Sequence, residues 1–277
     1  MRARYGVIGW PVAHSRSPLI HNYWLQEAGI DAVYEPVAVP PEVDFRAKLE
    51  ELREQGFAGV NVTIPHKEAA YEAVDTQDAA AAHLGAVNTI SLTGDTINGH
   101  NTDGRGFIDS LSAAPDWDAG PALVLGAGGA ARAIVGALLN AGVSDIRISN
   151  RTSARAEAVA AMAGTTDRVT VFDWSARPEA AERATLLVNT TSLGMNGAPP
   201  LDMSIDTLAT TATVADIVYV PLETDLLARA KIRGLTPVNG LGMLVHQAAH
   251  AFDLWFGRRP AFDAVLRERL HRDLGGA

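Results

Sequence analysis

Residues 123–131 read LVLGAGGAA, a short apolar run followed directly by the pattern G-x-G-x-x-A. The run predicts a buried strand, and the segment that continues to about Leu139 predicts a helix. In the turn between them, Gly126 allows a tight bend and Gly128 lets a pyrophosphate approach the backbone, while Ala131 is small enough for the helix to pack on the strand. Free N–H groups and the helix dipole favour a phosphate there. The stretch therefore predicts a dinucleotide-binding βαβ unit; the alternative is an ordinary glycine-rich turn.

The end of the next predicted strand bears on the choice between the two nicotinamide dinucleotides. A unit that binds NAD usually carries Asp or Glu at this point, to accept hydrogen bonds from the ribose 2′-hydroxyl. This chain has Asn150, Arg151 and Thr152 instead, and Arg155 follows one helical turn later. Guanidinium groups can bind a 2′-phosphate in bidentate fashion, whereas a carboxylate repels it. The segment favours NADP; the alternative is that both arginines are solvated charges at a helix start.

Short apolar runs alternate with helix-length segments on both sides of this stretch. Strands are predicted at 5–9, 32–39 and 57–64 before it, and at 146–149, 169–172, 186–189 and 214–218 after it. Repeated β-then-α order implies parallel sheet with right-handed crossovers. Thr93-Gly94, between predicted strands at 88–91 and 95–99, is a hairpin signal.

The small, polar and turn-rich segment 113–120 indicates a domain boundary, with a predicted helix at 104–111 as the connection. After the last strand, two helices are predicted at 241–256 and 262–274. Helices without strands do not extend a sheet, but they could pack back on the first domain. We expect an α/β protein with an N-terminal α/β domain (1–104 and 239–277) and a doubly wound, Rossmann-type nucleotide-binding domain (105–238).

Composition narrows the class of protein. The chain has 277 residues, 47% hydrophobic and 20% charged, with a net charge of −9 and a pI of about 5.3. An acidic chain without a basic run is not expected to bind nucleic acid. It has no cysteine, so disulfides, thiolate metal sites and Cys nucleophiles are excluded. No segment predicts a signal peptide or a membrane span, and we expect a soluble cytoplasmic protein.

The stretch NVTIPHK at 61–67 predicts a strand with a polar edge. Asn61 and Thr63 are two residues apart, so in an extended chain they project on one face. Pro65 ends the strand and could open a helix. Lys67 follows the strand end, where open α/β sheets bind ligands. A lysine beside an aspartate can hold a hydroxyl and relay its proton, although most lysines are solvated surface residues.

Other polar side chains lie near predicted element ends of the first domain. The first helix is predicted at 17–28, just after Ser15, and Ser17 with Pro18 is a helix start signal, so an N-cap is the alternative role of Ser17. Ser15 has no capping role in this pattern. Asn88 begins a strand, and Asp103 either contributes to a site or caps the helix that follows.

Two pairs of residues have i, i+4 spacing in the helix at 241–256. Met243 and Gln247 share a face, although Met243 could simply belong to the core. His246 and His250 share a face too, but they lack a third ligand and the intervening Glu of an HExxH site. We expect no metal site.

Taken in order, nine stretches resemble those of the shikimate dehydrogenase family, NADP-dependent enzymes of aromatic biosynthesis. They are GxPxxHSxSPxxHN at 9–22, NVTxPHK at 61–67, GAVNT at 85–89, GxNTDxxG at 99–106, GAGGAA at 126–131, NRT at 150–152, NTTSLGM at 189–195, DIVYxPxxT at 216–224 and GxxMLxxQ at 240–247. Each motif is weak alone, but their common order leaves little room for accident.

The resemblance implies a role for each matching residue. Ser15 and Ser17 would hold a substrate carboxylate, and Lys67, paired with Asp103, would be the catalytic acid–base group. The substrate's hydroxyls would be bound by Asn61, Thr63, Asn88, Asp103 and Gln247, with Tyr219 nearby. The implied cofactor residues are Gly126, Ala127, Gly128, Gly129, Ala130 and Ala131 at the pyrophosphate, Asn150, Arg151, Thr152 and Arg155 at the 2′-phosphate, and Thr190, Met195, Ile217, Gly240 and Met243 towards the nicotinamide.

The implied reaction is the reversible reduction of 3-dehydroshikimate to shikimate with NADPH, by a monomer or homodimer. Three alternatives stay open: a quinate/shikimate dehydrogenase that uses NAD, a non-catalytic NADP-sensing protein, and another hydride-transfer enzyme such as a folate dehydrogenase. The residues at 150–152 argue against NAD, and an intact Lys67 with Asp103 argues against a sensor. The serine pair and the Asn/Thr/Asp/Gln set suit a small polyhydroxylated acid better than a flat pterin.

Overall fold

The computed structural model describes residues 2–162, 164 and 167–275. By its internal contacts the chain separates into two units. The first unit comprises residues up to 102 together with 247–275, and the second unit comprises residues 103–246. Each unit contains one six-stranded sheet.

The sheet of the first unit mixes parallel and antiparallel strands. Its strands are β1 (Ala3–Gly9), β2 (Ala32–Ala38), β3 (Phe57–Val62), β4 (Thr76–Gln77), β5 (Thr89–Ser91) and β6 (Asn98–His100), in the order β2-β1-β3-β5-β6-β4. Strand β1 is parallel to β2 and β3, whereas β5 is antiparallel to β3 and β6. The predicted hairpin at Thr93-Gly94 is thus confirmed as the β5–β6 connection. Strand β4 was not predicted, because its two residues are exposed and carry no apolar pattern.

The helices of the first unit are α1 (Ser17–Ala28), α2 (Phe45–Glu54), α3 (Lys67–Ala73) and α4 (Ala79–Leu84). Helix α1 has Arg16 as its N-cap and Ser17 as its first residue, so the alternative role of Ser17 as an N-cap is not observed. Helix α3 begins at Lys67. Strand β3 ends at Val62, before the predicted end at 64, because residues 63–66 form a turn in which the N–H of His66 donates to the carbonyl of Thr63 at 3.0 Å.

The sheet of the second unit is parallel throughout. Its strands are β7 (Ala122–Leu125), β8 (Ile146–Asn150), β9 (Val169–Asp173), β10 (Leu186–Asn189), β11 (Thr213–Asp216) and β12 (Thr236–Asn239), in the order β12-β11-β10-β7-β8-β9. Strand β12 was not predicted, because Pro237 interrupts its short apolar pattern.

Helices cover both faces of this second sheet. They are α5 (Asp103–Ser110), α6 (Gly129–Asn140), α7 (Ser153–Met162), α8 (Arg177–Ala180), α9 (Asp225–Ile232) and α10 (Gly240–Phe256), the last of which contributes residues to both units. Val124 packs in one core cluster with α5, α6 and α7, and the neighbouring Leu125 packs in another with α8 and α9. Alternate residues of one strand are therefore buried on opposite faces, which is the doubly wound arrangement expected from the sequence.

The C-terminal helices pack on the first unit, as predicted. Helix α11 (Ala264–Asp273) follows α10, and the Trp255 indole N–H of α10 donates to the carbonyl of Ile90 at 3.1 Å. A side chain at Gly59 would overlap the Trp255 indole, so close packing needs glycine there. The Tyr23 hydroxyl donates to the Asp263 carboxylate at 2.7 Å, beside the start of α11. Within the described ranges, no helix combines the length and apolar character needed to cross a membrane.

A buried carboxylate ties together two loops at the carboxyl edge of the second sheet. Asp216, at the end of β11, is 1% exposed. It accepts hydrogen bonds from the Asn189 side chain at 3.0 Å, from the Val218 N–H at 3.1 Å and from the Thr224 hydroxyl at 2.8 Å. Burial raises the pKa of Asp216, and these three hydrogen bonds oppose that rise. The carboxylate thereby fixes the segments that follow β10 and β11.

Replacement of Asp216 should therefore change how stability depends on pH. Because the folded pKa lies above the unfolded one, the group's stabilising contribution is complete below the unfolded pKa and is lost as the pH rises through the folded pKa. Asp216→Asn removes that titration, so its melting temperature should improve relative to the unsubstituted protein as the pH is raised from about 4. Asp216→Ala instead leaves buried donors without an acceptor. Its free energy of unfolding should fall by about 1–3 kcal/mol for each such donor, at every pH. Thermal melts at several pH values measure the effect of each substitution. A melting temperature that depends on pH in the same way in the Asn variant and the unsubstituted protein would contradict the expectation.

Candidate active site

Two side-chain amides lie side by side at the end of β3 and the start of β5. Asn61 is 6% exposed and Asn88 is 2% exposed. The Asn61 Nδ2 donates to the Asn88 carbonyl at 3.2 Å and to the Thr89 hydroxyl at 3.0 Å. The strand register places Asn61 opposite Thr89, so the antiparallel pairing of β3 with β5 brings the two amides together. The structure thus unites two predicted substrate residues of the first unit.

Thr89 and Thr102 fix the orientation of the second amide. The Asn88 Oδ1 accepts from the Thr89 hydroxyl at 3.0 Å and from the Thr102 N–H at 2.9 Å. The Asn88 Nδ2 donates to the Thr102 Oγ1 at 3.0 Å. Both threonines are buried. Because the oxygen already accepts from two donors, this amide is held with one defined face.

Tyr34 is the third residue that hydrogen-bonds to the Asn61 amide. Its hydroxyl donates to the Asn61 Oδ1 at 2.7 Å, and its side chain is 2% exposed. Burial raises the pKa of Tyr34 well above its usual value, and a hydrogen bond with the Ser17 side chain opposes that rise. Ser17 thus reaches the same cluster. Sequence reasoning missed Tyr34, Thr89 and Thr102, although a tyrosine within the apolar run at 32–39 was a usable signal.

The segment that carries Ser15 and Ser17 is held by local bonds. The Ser15 Oγ accepts from the Ser17 N–H at 3.3 Å, so Ser15 does pair with the start of α1, contrary to the sequence prediction. Arg16 forms an ion pair with Asp273 of α11 at 2.6 Å and donates to the His14 carbonyl at 2.6 Å. Its guanidinium is therefore already paired within the protein. Ser17 is buried and Ser15 is partly exposed, which leaves Ser15 accessible to a ligand.

Lys67 occupies the first turn of α3 and is partly exposed. Its carbonyl accepts from the Val87 N–H at 2.9 Å, and the neighbouring His66 is buried with its Nε2 2.6 Å from the Val39 carbonyl oxygen. Thr63, in the turn before it, donates its N–H to the Ile8 carbonyl at 2.8 Å. The backbone around Lys67 is therefore anchored to three neighbouring segments.

Asp103 and Gln247 stand at the borders of the two units. Asp103 is buried and is the first residue of α5, in the second unit, so it is a helical residue rather than the cap preceding the helix. Gln247 is partly exposed on α10 and counts with the first unit. The pairing of Lys67 with Asp103 stays a prediction, as do the substrate roles of Asp103 and Gln247.

The glycine turn between β7 and α6 is shaped for close approach of a ligand. Gly126 has φ of 109°, and a side chain there would overlap the Thr190 Oγ1, so only glycine fits. Thr190 in turn donates its hydroxyl to the Leu125 carbonyl at 2.7 Å. Gly128 is the N-cap of α6 without a side-chain cap, and the space beside the Cα atoms of Gly128 and Gly129 is open. The residues present fit a pyrophosphate bound by backbone N–H groups.

The end of β8 presents positive charge. Arg151, Thr152 and Arg155 are exposed, and the Asn150 Nδ2 donates to the Thr152 carbonyl at 2.9 Å. Within the described residues, neither Arg151 nor Arg155 forms an ion pair. Both guanidinium groups are therefore available to an anion near the glycine turn, since β8 is the parallel neighbour of β7.

The remaining predicted cofactor residues lie on the loops after β10 and β11 and at the start of α10. Met195 is 45% exposed, and Tyr219 is partly buried. Ile217 and Met243 pack against the core of the second unit, so the core role considered for Met243 is observed. A side chain at Gly240 would overlap the Ile217 carbonyl oxygen. Gly240 is thus required for the approach of α10 to the loop after β11.

Acidic and histidine side chains do not cluster. Across the part of the chain that the structure describes, no group of three or more His, Cys, Asp or Glu side chains could hold a metal ion. His250 instead lies 3.2 Å from the Arg259 guanidinium.

Comparison with known families covers most of the chain. The model of the shikimate dehydrogenase substrate binding domain matches residues 7–90, and that of shikimate / quinate 5-dehydrogenase matches residues 111–194. The shikimate 5'-dehydrogenase C-terminal domain matches residues 240–268. The matched ranges include both amides, the glycine turn and the start of α10.

Individual relatives cover almost the whole length. Shikimate dehydrogenase (NADP(+)) of Paramagnetospirillum magneticum is 53% identical over 266 residues, 95% of each chain. Shikimate 5-dehydrogenase from Thermus thermophilus, solved with NADP(H) and shikimate, is 39% identical with a TM-score of 0.86, over 98% of this chain and 99% of that chain. Quinate dehydrogenase from Corynebacterium glutamicum, solved with NAD, is 30% identical with a TM-score of 0.86, over 99% of each. Because it shares half of its residues and its whole fold with such enzymes, this chain belongs to the shikimate dehydrogenase family.

Proposed function

We propose that this protein is an NADP-dependent shikimate dehydrogenase, which reversibly reduces 3-dehydroshikimate to shikimate in the biosynthesis of chorismate and the aromatic amino acids. The observation that carries the proposal is the 53% identity, over 95% of both chains, with a shikimate dehydrogenase (NADP(+)). The paired amides of the first unit and the acid-free end of β8 support it, because they suit a polyhydroxylated substrate and a 2′-phosphate respectively.

Substrate binding is assigned chiefly to residues of the first unit. Ser15 and Ser17, at the start of α1, would hold the carboxylate through their hydroxyls. Asn61 and Asn88, with Thr63, Asp103 and Gln247, would bind the ring hydroxyls, and Tyr219 would lie nearby. Support comes from the buried network around the two amides, since a site that hydrogen-bonds hydroxyls discriminates strongly against analogues that lack them.

The second unit would bind the cofactor. The backbone from Gly126 to Ala131 would hold the pyrophosphate, and Arg151 and Arg155 would bind the 2′-phosphate beside Asn150 and Thr152. Thr190, Met195, Ile217, Gly240 and Met243 would lie towards the nicotinamide. The open space at Gly128 and Gly129 and the two exposed arginines, without an ion pair among the described residues, support this assignment.

Lys67 would carry the proton. NADPH, when bound, would supply the hydride that reduces the ketone carbon. Lys67 donates a proton to the ketone oxygen in that direction, and it receives the hydroxyl proton when shikimate is oxidised. Asp103 would hold the ammonium group in place. The anchored backbone around Lys67 supports this role, because a proton donor must keep a defined distance from its acceptor.

An absorbance assay at the NADPH band tests the proposed function. Shikimate and quinate are each supplied with NADP and with NAD. We expect fast reduction of NADP with shikimate and slow or no reaction in the other three combinations. The quinate dehydrogenase solved with NAD, at 30% identity, makes quinate with NAD the second candidate. Measurable NADP binding without any turnover would instead indicate a sensor. A cytoplasmic location and a monomeric or dimeric state stay predictions.

Substitution of Lys67 should remove catalysis rather than binding. A general acid–base group contributes roughly 10²–10⁴-fold, so Lys67→Ala should lower kcat by about that factor with a much smaller change in KM for shikimate. Lys231→Ala is the control, because Lys231 is an exposed lysine of α9 that pairs with Glu223 at 3.4 Å. A Lys67→Ala enzyme with near-normal kcat would remove Lys67 from the mechanism.

Substitution of Arg151 should separate the two cofactors. Without this guanidinium the 2′-phosphate loses a charged partner, so Arg151→Ala should raise KM for NADP and leave the use of NAD little changed. Arg258→Ala removes the same charge from an exposed position of the first unit and should affect neither. Equal losses with both cofactors would mean that Arg151 does not bind the 2′-phosphate.

A further inference from the structure

The hydrogen-bonding capacity of the Asn61 amide is almost fully used inside the protein. A side-chain amide has two N–H donors and an oxygen with two lone pairs. Both Nδ2 hydrogens are committed, one to the Asn88 carbonyl at 3.2 Å and one to the Thr89 hydroxyl at 3.0 Å. The Oδ1 accepts from the Tyr34 hydroxyl at 2.7 Å. The His21 side chain also hydrogen-bonds to the Asn61 side chain. No N–H of Asn61 is left for a ligand, so Asn61 can meet a ligand only through its oxygen.

The amide cannot exchange its nitrogen and oxygen in this setting. If it flipped, Oδ1 would face the carbonyl oxygen of Asn88, and two buried acceptors would be opposed. Tyr34 selects the same orientation from the other side, because its hydroxyl donates to oxygen. Burial keeps this phenol protonated by raising its pKa, so it remains a donor.

Tyr34 is itself held firmly. Asn22 of α1 clamps its backbone, accepting from the Tyr34 N–H at 3.0 Å and donating to the Tyr34 carbonyl at 2.7 Å. Its ring stacks on His21 with centroids 4.1 Å apart and planes 3° apart. Burial lowers the pKa of His21 to about 3, although a hydrogen bond with the Asn61 side chain opposes the shift, so this imidazole is neutral. Trp24 and Trp255, each 5.6 Å from His21 between ring centroids, close the cluster.

We propose that Tyr34 is a positioning residue that turns Asn61 into an obligate hydrogen-bond acceptor and so selects a substrate with a hydroxyl donor at that position. Tyr34 does not reach the substrate and acts through Asn61. A keto, fluoro or ether group at the same ring position would meet an acceptor and form no hydrogen bond. The inference rests on the proposed function, since it assumes that Asn61 contacts a hydroxylated substrate.

Removal of the Tyr34 hydroxyl tests the inference. Tyr34→Phe keeps the ring and its stacking but deletes the donor that orients Asn61. A single hydrogen bond is worth roughly 2- to 10-fold in an equilibrium constant. We therefore expect KM for shikimate to rise by about that factor, with kcat and KM for NADP within about twofold of the unsubstituted enzyme. An unchanged KM for shikimate in Tyr34→Phe would overturn the proposal.

Tyr23→Phe is the matched control for a structural effect. The Tyr23 hydroxyl also makes a 2.7 Å hydrogen bond in the first unit, but to Asp263 beside the start of α11. Both variants lose one hydroxyl and one bond of the same length, so both lose stability. Only Tyr34→Phe should raise KM for shikimate. An equal rise in both variants would show that stability, rather than orientation of Asn61, is responsible.

A double-mutant cycle shows whether Tyr34 acts through Asn61. In an Asn61→Ala background Tyr34→Phe should have no further effect on KM for shikimate, whereas additive effects would contradict the proposal. Analogues with single hydroxyls replaced by fluorine give a second reading on the unsubstituted enzyme, should Tyr34→Phe fail to fold. The analogue whose fluorine replaces the hydroxyl at Asn61 should lose affinity, and unchanged affinity for every analogue would refute an acceptor-only Asn61.

The outcomes also separate this inference from the proposed function. If the unsubstituted protein does not oxidise shikimate, both fail. If it oxidises shikimate and the Tyr34→Phe enzyme has the same KM, the function stands and the inference alone fails.

Discussion

Both units of this protein depend on one constraint: a polar side chain buried at the end of a strand must find its partners within the protein. In the first unit, the hydrogen-bond partners of Asn61 include Tyr34, Thr89 and the Asn88 carbonyl. In the second unit, the hydrogen-bond partners of Asp216 include Asn189, Val218 and Thr224. At these two strand ends, of the kind where α/β sheets bind ligands, hydrogen bonds therefore join segments that are distant in the chain.

This constraint gives the two candidate sites different physical characters. The amides of the first unit are buried and each is restricted to one orientation, so they are suited to recognise the direction of a hydrogen bond. Arg151 and Arg155 of the second unit are exposed, so they are suited to attract negative charge. A directional, buried group distinguishes chemically similar ligands, whereas an exposed guanidinium contributes attraction that salt screens.

The sequence predicted the parts of the structure that depend on local pattern. The turn around Gly126 and the strand and helix beside it follow from residues that are adjacent in the chain, and helix α1 has the predicted bounds. Tyr34 and Thr89 were missed because their role depends on strand register: Asn61 faces Thr89 only once β3 pairs with β5. The strand predicted at 57–64 ends early, at Val62, because a turn at 63–66, held by the His66 N–H, precedes the helix.

Register also explains why a short motif is insufficient to define a site. The pattern NVTIPHK contains Asn61 and Lys67 but not the residues that determine which atom of Asn61 a ligand meets. Those residues come from β2 and β5, which are distant in sequence and adjacent to Asn61 only in the folded sheet. The same motif letters on a sheet with an apolar residue in place of Tyr34 would leave the Asn61 oxygen without its internal donor. The hydrogen-bonding properties of the site therefore depend on several strands of the sheet, and the motif identifies only some of the residues involved.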